Sequence, residues 1–399
     1  MSTLNTTNAL VLDAERRTAF VQQQLLTEPD PTDLENASVR IKVCAIALNP
    51  VDALYVASPL GRTGRVIGSD FAGFVDSEPD GPSTLDVHEG SRVAGFLQGA
   101  SSINERPGAF AGFIHCPVDL LWRVPSYTSL EAAAGMSLCG LTAAQALFYR
   151  LGLTAPFVWN KPTGLEAISG VEHSEHRHKP WFLIYGASTS VGMYAAQLVR
   201  RSAELSGTHI RLIGAASKAR HDMLKERPYG YDELVDYRAN DWQRQVMSFT
   251  EGRGVNWAFD CISEGLTVRD VATTLRPGGK MAIVRSREGG AWDTHGLRKD
   301  VEPSYGAVWE GLGKYVLYNG MALPASRDAR AFTAAFYRWL SEGGKLEANP
   351  IRLMPGGLEN VVSDGFTLLG CGSMEDRSKE RPEAWMKPVS AEKLVYKLR

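Results

Sequence analysis

The feature that most constrains this chain is an alternation that begins at residue 181. Short, mostly apolar runs over 181–185, 210–214, 233–237, 255–260 and 280–284 are separated by helical stretches over 191–205, 218–226, 241–249 and 266–275. Strands that are apolar along their length must be covered on both faces, and parallel strands need a crossover between them. The pattern therefore predicts a doubly wound parallel sheet of Rossmann type, an α/β fold, with helices on both sides.

The first of these strands runs into Gly186-Ala-Ser-Thr-Ser-Val-Gly192 and then a helix. A strand–glycine turn–helix unit aims backbone amides and the positive end of the helix dipole at a pyrophosphate. Gly186 is expected to make the tight turn, and Gly192 to let the helix approach the sheet. Ser188, Thr189 and Ser190 add hydroxyls, with Val191 following at the helix start. Such a turn also occurs for purely structural reasons; its place in the alternating pattern is what points to a dinucleotide. At the end of the second strand an NAD site carries a carboxylate for the ribose 2′-hydroxyl. Here the turn reads Ser217, Lys218, Ala219, Arg220, a hydroxyl and two cations with no acid. A 2′-phosphate suits such donors, so NADP(H) is the expected cofactor. The alternative is a solvated helix start with ordinary surface charges. Tyr237, after the third strand, either covers the adenosine end or is an aromatic at the edge of the core.

Residues 1–140 follow a different grammar. Short β-branched runs over 39–46, 66–75, 92–96 and 110–116 alternate with Gly, Pro, Asp and Ser clusters, which predicts a β-rich unit. A small-residue helix is expected over 130–147, and a polar interruption fills 154–180. The alternating segment 391–398 reads as a strand that returns to the first unit, since a lone terminal strand needs a sheet. At 399 residues the chain has room for two domains of about 100–200 each.

Composition narrows the function classes. The 43 Lys and Arg nearly cancel 45 Asp and Glu, leaving a net charge of -2, so no chain-wide basic footprint for nucleic acid or an acidic membrane exists. No apolar run approaches the roughly 20 residues of a membrane span, and the N-terminus lacks a basic segment followed by an apolar one, so no signal peptide is expected. Five widely spaced cysteines with no CxxC pair read as reduced thiols. A cytoplasmic, monomeric protein is expected.

Several segments carry a resemblance. They are Asn49-Pro50-Val51-Asp52, Ile67-Gly-Ser-Asp-Phe-Ala-Gly73, Gly90-Ser-Arg-Val-Ala-Gly-Phe96, Gly108-Ala-Phe-Ala-Gly-Phe113 and Gly140-Leu-Thr-Ala-Ala144. The Gly186 turn, Asp236-Tyr-Arg238, Asp260-Cys-Ile-Ser263 and Ser390-Ala-Glu-Lys-Leu-Val-Tyr396 complete the series. In this order, over nearly the whole chain, they resemble the zinc-free, quinone-reductase-like branch of the medium-chain dehydrogenase/reductase superfamily. Ser188-Thr189, Asp-Tyr-Arg and Asp-Cys-Ile-Ser are most similar to fungal trans-acting enoyl reductases of polyketide synthases.

The resemblance implies a GroES-like catalytic domain of residues 1–140 and 301–399, and a Rossmann domain of 141–300. It implies that Asn49, Pro50, Val51 and Asp52, Val284 and Arg285, and Val389 and Ser390 border the cofactor. For Asn49 to Asp52 a plain β-turn is the bland reading. The resemblance also implies a substrate channel lined by Ser137, Leu138, Cys139, Gly140, Leu141, Thr142, Ala143 and Ala144. A second wall would come from Tyr305, Gly306, Ala307, Val308 and Trp309. Zinc-dependent relatives place Cys and a His-Glu pair at the positions of Asn49–Asp52 and Gly68–Asp70, so no metal is expected; the tract Glu172, His173, Glu175, His176, His178 reads as solvated. Some relatives carry Lys where this chain has Leu54, and Thr142, Tyr55 and water remain open as proton donors.

The activity implied is NADPH-dependent reduction of the α,β-double bond of a carrier-bound acyl chain, in a cleft between the domains, with a polyketide synthase as partner. A stand-alone quinone or enone reductase, and a non-catalytic NADP-binding scaffold, are the alternatives.

Overall fold

The computed structural model describes residues 6–26, 37–83, 85–160, 179–371, 373–377 and 381–398. The chain divides into two units, Met1–Leu138 with Trp309–Arg399, and Cys139–Val308.

The second unit holds a six-stranded, all-parallel sheet. Its strands are β1 (Trp181–Tyr185), β2 (Arg211–Ala216), β3 (Glu233–Asp236), β4 (Val255–Asp260), β5 (Leu275–Ile283) and β6 (Ser304–Tyr305), in the order β3-β2-β1-β4-β5-β6. This is the Rossmann order, with the reversal of direction falling between β1 and β4. All five residues of β1 are buried, as expected of a central parallel strand. Leu183, Ile213, Val235, Val246, Val268 and Met281 belong to one apolar cluster, each contributing about 1.5–3 kcal/mol by leaving water.

Two strands depart from the sequence reading. β5 starts at Leu275 rather than 280, because Leu275 pairs with Val255 before Pro277-Gly278-Gly279 shifts the register to Trp257 with Lys280. That early start ends the preceding helix at Ala272, short of the expected 275. β6 is a sixth strand the sequence does not announce: two residues are too few for a periodic signal, and only pairing with Ala282 and Ile283 defines it. Residues 301–308 consequently lie in this unit.

In the first unit a sheet runs in the order Ile351–Leu353, Lys393–Lys397, Ser38–Ala47, Asp70–Val75, Arg92–Phe96 and Leu121–Arg123. Phe113–Pro117 also pairs with Ser38–Ala47. The terminal strand Lys393–Lys397 does join this sheet, antiparallel to Ser38–Ala47 with Val395 opposite Ala47. The run expected over 66–75 forms a strand only from Asp70. Gly68 turns the chain at φ +93°, where a Cβ would lie 2.1 Å from the Phe110 ring, so no other residue fits. The helix expected over 130–147 breaks at Gly135 into Leu130–Ala134 and Ser137–Ala144, and a π-helical turn, Gln145–Arg150, follows. Residues 161–178, the bulk of the polar interruption with its His-rich tract, lie outside the described residues.

Candidate active site

The glycine turn lies at the carboxyl edge of the parallel sheet. Gly186 leaves β1 at φ +77°, and its carbonyl accepts from Thr189 N at 2.9 Å. Thr189 caps the helix α1 (Ser190–Ser206), its Oγ1 accepting from Gly192 N at 3.0 Å. A Cβ on Gly192 would meet the Gly186 carbonyl oxygen at 2.4 Å. The helix start therefore lies as close to the turn as backbone allows, the geometry a pyrophosphate needs. Ser188, Ser190 and Val191 line this start and are half-buried.

At the end of β2, Ser217 precedes a 3-10 turn, Lys218–Arg220, with Lys218 and Ala219 exposed and Arg220 half-buried. Tyr237, 39% exposed, follows β3 and meets Tyr185 edge-on at 6.4 Å. It is an edge aromatic with part of its ring open to solvent. Val284 and Arg285 follow β5. Val284 N donates to Ser263 Oγ at 3.0 Å, and Arg285 pairs with Glu264 at 3.3 Å.

The residue that organises this corner is Asp260, which the sequence reading quoted without giving it a role. It is fully buried at the end of β4 and accepts from Ile262 N, Ser263 N and Thr267 Oγ1 at 2.9, 2.8 and 2.7 Å. Burial pushes its carboxyl up to about 6, against the pull of those three donors. Ser263 is thereby held at φ +50° with its hydroxyl toward β5.

In the first unit, Asn49 precedes the helix Pro50–Ala57, and Asp52 reaches back to accept from Asn49 N at 2.8 Å. Ser69 Oγ donates to the other Asp52 oxygen at 2.5 Å. Asp70, 0% exposed, accepts from Asn49 Nδ2 and from Leu138 N, both at 2.9 Å, and from the Lys393 ammonium at 3.2 Å. Lys393 also donates to Asn49 Oδ1. Burial raises both carboxyls, Asp52 to about 7; the Ser69 and Asn49 donors and the Lys393 charge oppose it. Asn49 and Asp52 are thus more than a β-turn: they anchor a closed polar cluster in an apolar unit.

Lys393 is the member that sequence reasoning missed. Alternation gave no signal for it, because it puts Lys393, Val395 and Lys397 on one face and Leu394 and Tyr396 on the other, so the lysine face reads as the solvent side. In the fold Lys393 is buried and Lys397 exposed. Ser69 and Asp70 entered the sequence reading in the Ile67–Gly73 motif and as positions lacking metal ligands, with no role in a polar cluster.

The other expected wall residues divide by unit. Ser137 accepts from Trp122 Nε1 at 2.9 Å, and its carbonyl from Tyr337 OH at 3.1 Å. Cys139, Gly140, Leu141, Ala143 and Ala144 are buried along the helix, with Thr142 half-buried. Tyr305 lies in β6, Gly306 to Val308 follow it, and Trp309, 1% exposed, packs on Phe96 and Tyr318 at 6.0 and 6.1 Å. Tyr305 and Trp309 thus already serve sheet and core. Val389 and Ser390 are half-buried just before the terminal strand. All five cysteines are free thiols.

A family model described as zinc-binding dehydrogenase matches residues 190–291. The trans-enoyl reductase traG of Penicillium crustosum is 31% identical over 331 residues, 80% of this chain and 83% of that one. This chain belongs to the trans-enoyl reductase family. Two solved structures share the fold of this reductase. The CurK enoyl reductase has a TM-score of 0.64 at 18% identity, over 98% of this chain and 99% of that one. A mycobacterial protein complexed with NADPH has a TM-score of 0.61 at 19% identity, over 98% and 100%. The reductase is an oxidoreductase acting on carbon–carbon double bonds.

The zinc of the matching family description does not fit this reductase. A catalytic zinc needs three protein ligands. Among the described residues no three His, Cys, Asp or Glu side chains gather as a metal site. Asn49 offers an amide and Ser69 a hydroxyl, both already hydrogen-bonded, and Asp70 is engaged by the Lys393 ammonium. A nicotinamide dinucleotide does fit: the cradle that a Cβ at Gly192 would fill is the observation that supports it.

The Asp52 carboxyl makes stability depend on pH. Its folded value lies above the ordinary 3.8, so the native state holds more protons than the unfolded one between them. Stability from this group is therefore greatest at low pH and falls as pH rises toward 8. Urea unfolding is expected to show the advantage of wild type over Asp52→Asn shrinking by about 3 kcal/mol from pH 5 to pH 8. A difference constant with pH would contradict it.

Proposed function

We propose that this reductase uses NADPH to reduce the α,β-double bond of an acyl chain carried as a thioester by a polyketide synthase, or a synthase–peptide synthetase hybrid, that it serves in trans. The observation that carries this reading is the Gly186–Gly192 cradle followed by an acid-free, cationic turn at Lys218–Arg220, in a member of the trans-enoyl reductase family. NADPH, when bound, supplies a hydride for the β-carbon of the acyl chain.

The residues have distinct tasks. The helix start at Ser188 to Val191 receives the pyrophosphate, and Gly186 and Gly192 keep its approach open. Ser217, Lys218, Ala219 and Arg220 receive the 2′-phosphate, and Tyr237 lies along the adenosine. Val284 and Arg285, braced by Ser263 and Glu264, border the nicotinamide end. Asn49, Pro50, Val51 and Asp52, with Val389 and Ser390, are assigned to the cofactor as well. Small side chains over 137–144 leave room for an extended acyl chain. The α-carbon then takes a proton from Thr142, Tyr55 or water. We place this work in the cytoplasm, with the protein as a monomer; among the described residues no helix is long and apolar enough to cross a membrane.

The test is turnover of an enoyl pantetheine thioester with NADPH. Rapid quinone reduction without thioester turnover would favour a small-substrate reductase instead, and cofactor binding without either would favour a scaffold. For the cofactor, Lys218→Ala with Arg220→Ala is expected to weaken NADPH by roughly 100–10,000-fold and NADH by less than about twofold, since each of the two charge-assisted bonds is worth about 1.5–3 kcal/mol. Equal losses by titration would refute the 2′-phosphate assignment.

A further inference from the structure

Asn49 is held at both ends of its side-chain amide. The oxygen accepts from the Lys393 ammonium, and the nitrogen donates to Asp70 at 2.9 Å. An ammonium can only donate and a carboxylate can only accept, so the flipped amide would face a donor with a donor and an acceptor with an acceptor. The lysine that imposes this is itself fixed. Its backbone N donates to Pro350 O at 2.9 Å, its side chain is 4% exposed, and its stem runs past Gly135, where a Cβ would stand 3.0 Å from the Lys393 Cγ.

We propose that Lys393 is a positioning residue for enoyl reduction: with Asp70, its ammonium locks the Asn49 amide and hence the Asn49–Asp52 turn in one orientation. This rests on the assignment of that turn to the cofactor. Asp52 and Ser69 close the other side of the lock through Asn49 N, so removing the ammonium frees one end of the turn only.

The test pairs Lys393→Met with the double variant Asp70→Asn/Lys393→Met. The single variant leaves a buried carboxylate without its cation and is expected to melt early. The double variant removes both charges, so its melting midpoint is expected to return to near that of wild type while the Asn49 amide is free to turn over. In it, amide hydrogen exchange over residues 48–57 is expected to accelerate at least about tenfold. Its kcat/KM for an enoyl pantetheine thioester with NADPH is expected to fall at least about tenfold. A purely structural role would return exchange and turnover together with the melting midpoint. Wild-type exchange over 48–57, or kcat/KM within about twofold of wild type, overturns the inference. Exchange reads the hold on the turn whatever the substrate. An inactive wild type would therefore fault the proposed function, and unchanged exchange would fault Lys393.

Discussion

Gly192→Val is expected to abolish measurable NADPH binding. The first atom added at this position would lie 2.4 Å from the Gly186 carbonyl oxygen and 3.1 Å from Ala187 Cα and O. All three are backbone atoms of the turn proposed to hold the phosphates, so no side-chain rotation relieves the clash. Either α1 moves off the sheet or the turn opens, and both misplace the amides. Overpacking of this kind costs about 1–3 kcal/mol or more, which as lost affinity is a factor of roughly 10–100 for the methyl of Gly192→Ala and more for the branched Val. Isothermal titration with NADPH, alongside the far-UV spectrum, checks it. A folded Val variant that keeps wild-type affinity would remove the Gly186 turn from the site.

Asp70→Ala is expected to destabilise the first unit by about 3–5 kcal/mol, because it leaves the Lys393 ammonium buried with its charge uncompensated. It also takes the acceptor from Asn49 Nδ2 and Leu138 N. For a unit of this size a loss of that order lowers the melting midpoint by roughly 10 °C. Scanning calorimetry is the direct measurement, and a shift of less than about 2 °C would mean that the cluster contributes little to stability.

The parallel sheet was legible because its cause is local. Apolar runs flanked by helical periodicity, with a glycine turn after the first, imply one arrangement, and five of the six strands lie where the pattern put them to within a few residues. The cationic turn at Lys218–Arg220 was equally readable, since a missing carboxylate at one position is a fact of sequence. The sixth strand, the break at Gly135 and the early start of β5 were not, because each depends on a partner distant in the chain.

The candidate site divides along the same line. By itself the sequence determined the glycine turn after the first strand, the charge at the end of the second strand and the membership of a trans-enoyl reductase family. Tertiary structure alone decided that Asn49, Asp52, Ser69, Asp70 and Lys393 form one buried cluster, although Lys393 lies more than 300 residues from the others. The physical reason is that a side chain's identity states what it can donate or accept. Only the fold, by excluding water and bringing Lys393–Lys397 beside Ser38–Ala47, states which partner it must find.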